Sequence, residues 1–460
     1  MQGGPGRTPE AIVVGGGFAG LSAATLLAER GARVLLLEAR PYLGGRARSW
    51  VDPQTGSTVD NGQHLFLGCY RDTLRLLDRL GSRDRLNLQP RLSVPFVEPG
   101  GAVSVFALAP LPIVPWSLLA GLLRFPGLAF RDRLGLLRVA LEVRRRSRRA
   151  PPAAGDDLDD VSVSSWLRAL GQSARADERL WHPLATAALN EDPGRASAAM
   201  FLPVLRELFL GGAGGFRLGV PRVGLSDLYA EPGAHYLRAR GSEVRLRAQV
   251  RSLLFERGRC AGVLLADGGR VSAPEVIVAA PPSELLEMLP PEMASDPFFA
   301  RCSRLGTSPI VSIYLWFGSP ITELPFAGLI EGQWQWLFSR GALAEGGGAG
   351  FAVTLVQSAA RTFVEASREV LVRRALDDLH RFFPASRRAT LRHSLIIKEK
   401  RASMAPVRGS LALRPPWRTP QPGLHLAGDW TATGLPATIE GAVISGHACA
   451  RQVLGDRGPA

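Results

Sequence analysis

Ala11-Ile-Val-Val-Gly-Gly-Gly-Phe-Ala-Gly20 carries an apolar run into Gly15, Gly17 and Gly20, and a second apolar run, 32–37, ends at Glu38. A strand, a tight turn and a helix are expected there. Gly15 allows the turn, Gly17 lets the backbone approach a pyrophosphate, and Gly20 lets the helix over 18–30 pack on the strands. The free N–H groups at the start of that helix, around Phe18 and Ala19, suit phosphate, and Glu38 stands where it can accept both ribose hydroxyls. The spacing defines a dinucleotide clamp.

The clamp continues into Ala39 and then Arg40-Pro-Tyr-Leu-Gly-Gly-Arg46. This stretch resembles the second glycine motif of the amine oxidase and phytoene desaturase superfamily of flavoproteins. The resemblance implies FAD rather than NAD, with Gly44, Gly45 and Arg46 along the diphosphate and ribityl chain. Leu424-His-Leu-Ala-Gly-Asp429 and Pro436-Ala-Thr-Ile-Glu-Gly-Ala442 resemble the C-terminal motif of the same superfamily. There Gly428 and Asp429 would hold the ribityl hydroxyls, while Ala437, Thr438 and Ile439 would face the isoalloxazine. Val276-Ile-Val-Ala-Ala-Pro-Pro282 is similar to the strand that re-enters the cofactor domain, bringing Ala280 and Pro281, and Val250 takes the position whose backbone meets adenine.

Composition suits a large enzyme. A chain of 460 residues can build two domains with full cores. Hydrophobic content of 46% and a mean hydropathy of +0.06 argue against disorder except at the ends. Cys69, Cys260, Cys302 and Cys449 form no C-x-x-C pair and no metal spacing, so a reducing cytoplasmic compartment without disulfides or zinc is expected. Residues 1–10 are too polar and short for a signal peptide.

The net charge of +14 would fit nucleic acid, but no nucleic-acid module is visible and none is expected as a partner. Arg144-Arg-Arg-Ser-Arg-Arg149 reads either as a solvated helix end or as a contact for anionic lipid headgroups. Before it, residues 99–123 carry no charge and are long enough to span a membrane, yet Pro110, Pro112 and Pro115 interrupt them. A short strand, a turn and a helix around 116–125 are expected instead. Trp116, Leu118, Leu119, Leu122, Leu123, Phe125 and Leu128, beside Arg124 and Arg131, would either pack inside a helical domain or dock on the inner face of the cell membrane.

The order of motifs implies interleaving. An α/β fold is expected, with a Rossmann-like FAD-binding domain from 1–98, 218–300 and 395–460, containing a parallel sheet and an antiparallel meander. A mixed α+β substrate domain would come from 99–217 and 301–394. Gly241-Ser-Glu-Val-Arg-Leu246 and the run 250–255 read as strands of the meander. Gly211-Gly-Ala-Gly-Gly215 and Gly346-Gly-Gly-Ala-Gly350 read as loops, and no second nucleotide fingerprint is evident. The sequence therefore names no nicotinamide donor and leaves the electron donor unknown.

Val59-Asp-Asn-Gly-Gln-His-Leu-Phe-Leu-Gly-Cys-Tyr70 narrows the family, because Gly62-Gln63-His64 replaces the small residues common beside the flavin. With Gln335-Trp-Leu-Phe-Ser-Arg340, Glu399-Lys-Arg-Ala-Ser403 and residues 428–441, it closely resembles the squalene-associated FAD-dependent desaturases of hopanoid biosynthesis, also called hydroxysqualene dehydroxylases. The likeness implies reductive removal of a hydroxyl from hydroxysqualene or a related triterpene. Such a reaction needs an apolar tunnel, reduced flavin in register, and a proton for the leaving hydroxyl. His64 is the first candidate donor, with Gln63 beside it, against a structural hydrogen bond as the alternative; Tyr70, Glu440 and Lys400 follow. Trp334, Trp336 and Trp430 would either stabilise a substrate cation with their faces or pack in the core. Two other readings are weighed: a carotenoid desaturase or amine oxidase of the same fold, and a non-enzymatic prenyl-binding chaperone, which would not need a complete flavin site.

Overall fold

The computed structural model describes residues 8–107, 130–148, 154–212, 214–215, 217–339 and 351–455. The expected docking residues Trp116, Leu118, Leu119, Leu122, Leu123, Arg124, Phe125 and Leu128 lie outside these, as does the glycine run 346–350. The cofactor half is a five-stranded parallel sheet made of β1 (Ala11–Val14), β2 (Val34–Leu37), β3 (Glu243–Arg245), β4 (Glu275–Val278) and β5 (Leu424–Leu426). Its spatial order is β3-β2-β1-β4-β5, so segments more than 400 residues apart meet in one sheet. Four-residue runs such as Ala-Ile-Val-Val and Val-Leu-Leu-Leu suit this place, because a parallel sheet is covered on both faces.

Five helices position the site: α1 (Phe18–Glu29), α2 (Arg71–Leu80), α3 (Phe130–Arg146), α4 (Ala198–Leu210) and α5 (Ile439–Val453). α1 is buried from Phe18 through Ala28 and carries no amphipathic stripe, as befits a helix packed on all sides. It crosses α5 at small residues. A Cβ on Gly446 would stand 2.1 Å from Ser22 Oγ and 2.2 Å from the Ala19 carbonyl, so the two backbones can approach only with glycine there.

Residues 250–256, 259–265 and 270–272 form the antiparallel meander. The expected strand within 241–246 does not join it. Glu243–Arg245 instead pairs parallel with β2 at the edge of the main sheet, because the helix Glu231–Ala239 carries the chain across and returns it in the parallel sense.

The substrate half is built on a seven-stranded mixed sheet, in the order 391–404, 307–317, 351–357, 336–339, 326–329, 93–97 and 103–107. Two expected divisions cut this sheet. Ser93–Val97 pairs within it before position 98, and the strand Leu391–Met404 runs across 395. Along Thr307–Phe317, Val311, Ile313, Leu315 and Phe317 pack with the helix Arg368–Phe382, while Tyr314 and Trp316 point the other way, toward Val59. The period of two gives the sheet one face for its own core and one for the cofactor half.

Candidate cofactor and substrate site

The N-terminal turn has the geometry a diphosphate requires. Gly15 has φ +108°, and a Cβ there would meet the Ala279 carbonyl oxygen at 2.7 Å. No side chain caps α1, which leaves its first N–H groups available to an anion. Glu38 is buried at the end of β2, where its carboxylate accepts hydrogen bonds from Gly16 N and Arg40 N, both at 2.8 Å. Gly20 does not line the opening. A Cβ at that position would stand 1.9 Å from the Gly15 carbonyl oxygen, so its role is close packing of helix on turn.

The second glycine motif folds over the first. Gly44 (φ +112°) and Gly45 (φ +54°) let the chain bend, and Gly44 N donates to Gly16 O at 2.9 Å. Tyr229, stacked on Phe18 with ring centroids 3.6 Å apart, fixes the bend by donating its hydroxyl to Gly44 O at 2.6 Å. Arg46 then reaches Asp429 at 2.6 Å, tying the N-terminal motif to one 383 residues away. Behind Asp429 lies Arg414, 3% exposed, which donates to the Asp429, Leu435 and Thr433 oxygens. Burial pulls its pKa down to about 10, so it stays cationic at neutral pH and braces the C-terminal motif. No motif marks Arg414 or Tyr229, since their hydrogen-bond partners, mostly backbone oxygens, are brought in by the fold.

At the opposite side of the opening, Thr438 caps α5 by accepting from Gly441 N at 3.1 Å. Glu440 accepts from Asp72 N, Thr73 N and the Thr73 hydroxyl, at 2.9, 2.9 and 2.6 Å, and so joins α5 to the start of α2. Burial raises its pKa against these bonds. These bonds hold the carboxylate between the two helices, and the residue also lines the opening. Lys400 is exposed and does not reach the cavity.

These motifs open into one cavity of about 1900 Å³. Gly15, Gly17, Phe18, Ala19, Glu38, Ala39, Arg40, Gly44, Gly45, Arg46, Gly62, Gln63, His64, Val250, Ala280, Pro281, Gly428, Asp429, Ala437, Thr438 and Ile439 all line it. Its remaining wall is largely apolar: Val94 and Phe96 of the second sheet, with Leu92 just ahead of their strand, Leu136 of α3, Leu180 and Leu184, and Val204 and Leu208 of α4. Trp336 and Trp430 line the cavity, the latter donating to Ala280 O at 3.1 Å. Trp334 does not. It is fully buried on the far side of the sheet, edge-on to Phe363 at 5.1 Å, which withdraws it from the substrate residues.

His64 Nδ1 lies 2.8 Å from Gly62 O, an arrangement in which the ring donates and leaves Nε2 as its unbound nitrogen. Burial, with Arg46 nearby, holds its pKa below the ordinary value. Gln63 donates to the Tyr314 hydroxyl at 3.3 Å, and Tyr314 donates to Asp60 O at 2.7 Å, so the pair is fixed from behind. Tyr70 lines the same cavity as a neutral phenol, its pKa driven up by burial and by the neighbouring Cys69 and Glu440. Glu207 was not anticipated. It stands between Val204 and Leu208 on the α4 face that lines the cavity, and its Oε1 is buried without a hydrogen-bond partner.

A phosphate-ready helix start, an acid at the ribose position and a glycine cradle fit FAD. The family profile described as flavin containing amine oxidoreductase matches residues 18–454. The chain belongs to that family, and it is an FAD-dependent oxidoreductase. Among its relatives are hydroxysqualene dehydroxylases from Rhodopseudomonas palustris, 32% identical over 96% of this chain and 97% of that one, and from Sinorhizobium fredii, 30% identical over 96% and 98%. A 15-cis-phytoene desaturase from Solanum lycopersicum is 26% identical over 98% of this chain and 79% of that one. The fold is shared with a putrescine oxidase bound to putrescine, with a TM-score of 0.73 at 18% identity over 98% and 100% of the two chains. It is also shared with an oxidoreductase from Methanosarcina mazei, with a TM-score of 0.71 at 18% identity over 95% and 99%.

Proposed function

We propose that this enzyme converts hydroxysqualene to squalene by reductive dehydroxylation. The observation that carries the reading is one continuous cavity, with the dinucleotide motifs at one end and largely apolar walls over the rest. Two relatives at 30% identity or more bear the same activity in their names. In the reaction the C–O bond breaks, a C–H bond forms at the allylic carbon, and the departing hydroxide takes a proton to leave as water. Reduced FAD supplies the hydride when bound.

The chain's own residues bind, orient and protonate. Glu38 holds the ribose, the turn from Gly15 to Gly17 and the start of α1 hold the diphosphate, and Arg46, Gly428 and Asp429 hold the ribityl chain. Val250 and Ala39 flank adenine. The segment 437–439, with Ala280, Pro281 and Gly62, frames the ring system. Apolar walls position the hydrocarbon and exclude water, so a developing cation is not captured by solvent. Trp336 and Trp430 lend ring faces to that cation. In its protonated form His64 delivers the proton from Nε2, with Gln63 fixing the segment beside it.

Phytoene-type desaturation is the second reading, favoured by the relative from Solanum lycopersicum and by the same apolar walls. It needs hydride to move toward oxidised flavin. Anaerobic incubation of photoreduced enzyme with hydroxysqualene separates the two: squalene formation with flavin reoxidation is expected. Absence of turnover, with phytoene desaturated by the oxidised enzyme, would replace the first reading with the second.

A further inference from the structure

α3 is apolar on two opposite sides. Its inner side carries Leu136 on the cavity wall, with Val139 and Val143 buried in the same core. Its outer side carries Leu134, Leu137 and Leu141, which are 51%, 44% and 66% exposed. A spacing of three and then four residues keeps these leucines on one stripe. Arg131, Arg138 and Arg148 are exposed along the same helix and the turn that follows it.

The acids nearby do not neutralise that stripe. Asp132 is buried and accepts the Ser173 hydroxyl, while Glu142 is engaged by Arg145 and Arg146 at 2.7 and 2.6 Å. What reaches solvent is a row of leucines edged by guanidinium groups. Long arginine stems can lie along an apolar surface while their heads turn to a polar one. Leucines that seek a hydrocarbon interior beside cations that seek anions match the boundary of an anionic bilayer.

A second copy of the chain fits the stripe poorly. A twofold contact would set this arginine-edged face against itself, in a protein that already carries a net charge of +14. Three leucines also offer far less area than the roughly 800 Å² per partner of a stable interface.

We propose that the outer face of α3 docks the enzyme on an anionic lipid bilayer, placing the cavity wall at Leu136 one helix width from the hydrocarbon. The proposal deepens the dehydroxylase reading, since a C30 hydrocarbon alcohol resides in bilayers. It is tested without turnover.

Holoenzyme is floated with vesicles of phosphatidylcholine containing about one-third phosphatidylglycerol, and with phosphatidylcholine alone. Wild type should float with the mixed vesicles and lose binding as salt rises. The triple variant Leu134→Ser, Leu137→Ser, Leu141→Ser should bind at least about tenfold more weakly. Arg138→Gln should lose roughly fivefold at low salt. Flavin absorbance and thermal midpoint of each variant are recorded, and Arg138→Gln, which leaves the leucines in place, carries the test if the serine variant unfolds.

Wild type that stays with the soluble fraction, equal flotation on both vesicle types, or variants that float like wild type would each overturn the proposal. So would a wild-type dimer that the serine variant dissolves, which would make the stripe a self-association face. Flotation without hydroxysqualene turnover would remove the dehydroxylase reading and leave the docking surface standing.

Discussion

Glu38 and His64 show how differently single residues disclose themselves. Glu38 follows a strand at a fixed distance from three glycines, so its position could be read from spacing alone. Its carboxylate is already held by Gly16 N and Arg40 N, which aims it before any ligand arrives. Glu38→Ala should therefore weaken FAD binding roughly ten- to hundredfold, through lost charge-assisted hydrogen bonds of about 1.5–3 kcal/mol, as calorimetry would measure. Unchanged affinity would place the ribose elsewhere. His64 is legible as a polar residue in an unusual motif, but its protonation state is not, because that depends on burial and on Arg46 arriving from another segment. The folded pKa lies below 6.5, so the imidazole is mostly neutral at pH 7 and the protonated form grows as pH falls. If that form donates the proton, kcat/KM should fall about tenfold per pH unit above a midpoint lower than 6.5. His64→Ala should keep the flavin spectrum, slow single-turnover reoxidation by about 10²–10⁴-fold and flatten the pH limb. Wild-type reoxidation in that variant would leave His64 its bond to Gly62 and nothing more, and Tyr70 would become the donor to test.

At the scale of elements, sequence reading succeeded where the signal was local. The strand, turn and helix over 11–29 follow from apolar runs and glycine positions, and the meander strand from 250 follows from its own pattern. Edge placement is not local. Glu243–Arg245 has a strand's composition, but joining β2 rather than the meander depends on the helix that precedes it. Trp334 and Trp336 are two residues apart and looked alike, yet one lies in the core under Arg368–Phe382 and the other on the cavity. Gly446 was equally hidden, as one of 51 glycines inside an ordinary helical run. Only the crossing of α5 on α1 reveals why a side chain is excluded there. Gly446→Ala should drive a methyl group against the Ala19 carbonyl, which cannot move without shifting α1. A loss of about 1–3 kcal/mol is expected by overpacking, read as a lower thermal midpoint, together with weaker FAD retention because α1 follows directly on the glycine turn proposed to hold the diphosphate. A variant as stable as wild type would show that the helices can separate at no cost.

At the scale of the whole molecule, one cavity joins a polar end to a largely apolar one. The parallel sheet contains strands from both ends of the chain, so the Arg46–Asp429 pair closes over the intervening chain that forms the second sheet and its helices. That intervening chain supplies the apolar walls, which makes the polar and apolar ends of the cavity continuous by construction. Sequence motifs disclosed the polar end because nucleotides demand fixed spacings; a hydrocarbon demands only bulk and shape, and its walls leave no motif. Those walls can be tested by narrowing them. Ala188 lines the cavity on the helix His182–Leu189, among Leu180, Leu184 and Leu208 and far in sequence from every flavin motif. Ala188→Phe should fill part of the apolar end, at a cost of about 1–3 kcal/mol to a full-length C30 alcohol that must now displace the ring or distort around it. KM for that alcohol should rise roughly tenfold, while FAD content, the flavin spectrum and kcat/KM for an allylic alcohol several prenyl units shorter stay near wild type. Equal losses for long and short alcohols would mean that the ring disturbs the flavin end instead. No loss for either would mean that the hydrocarbon runs along another wall.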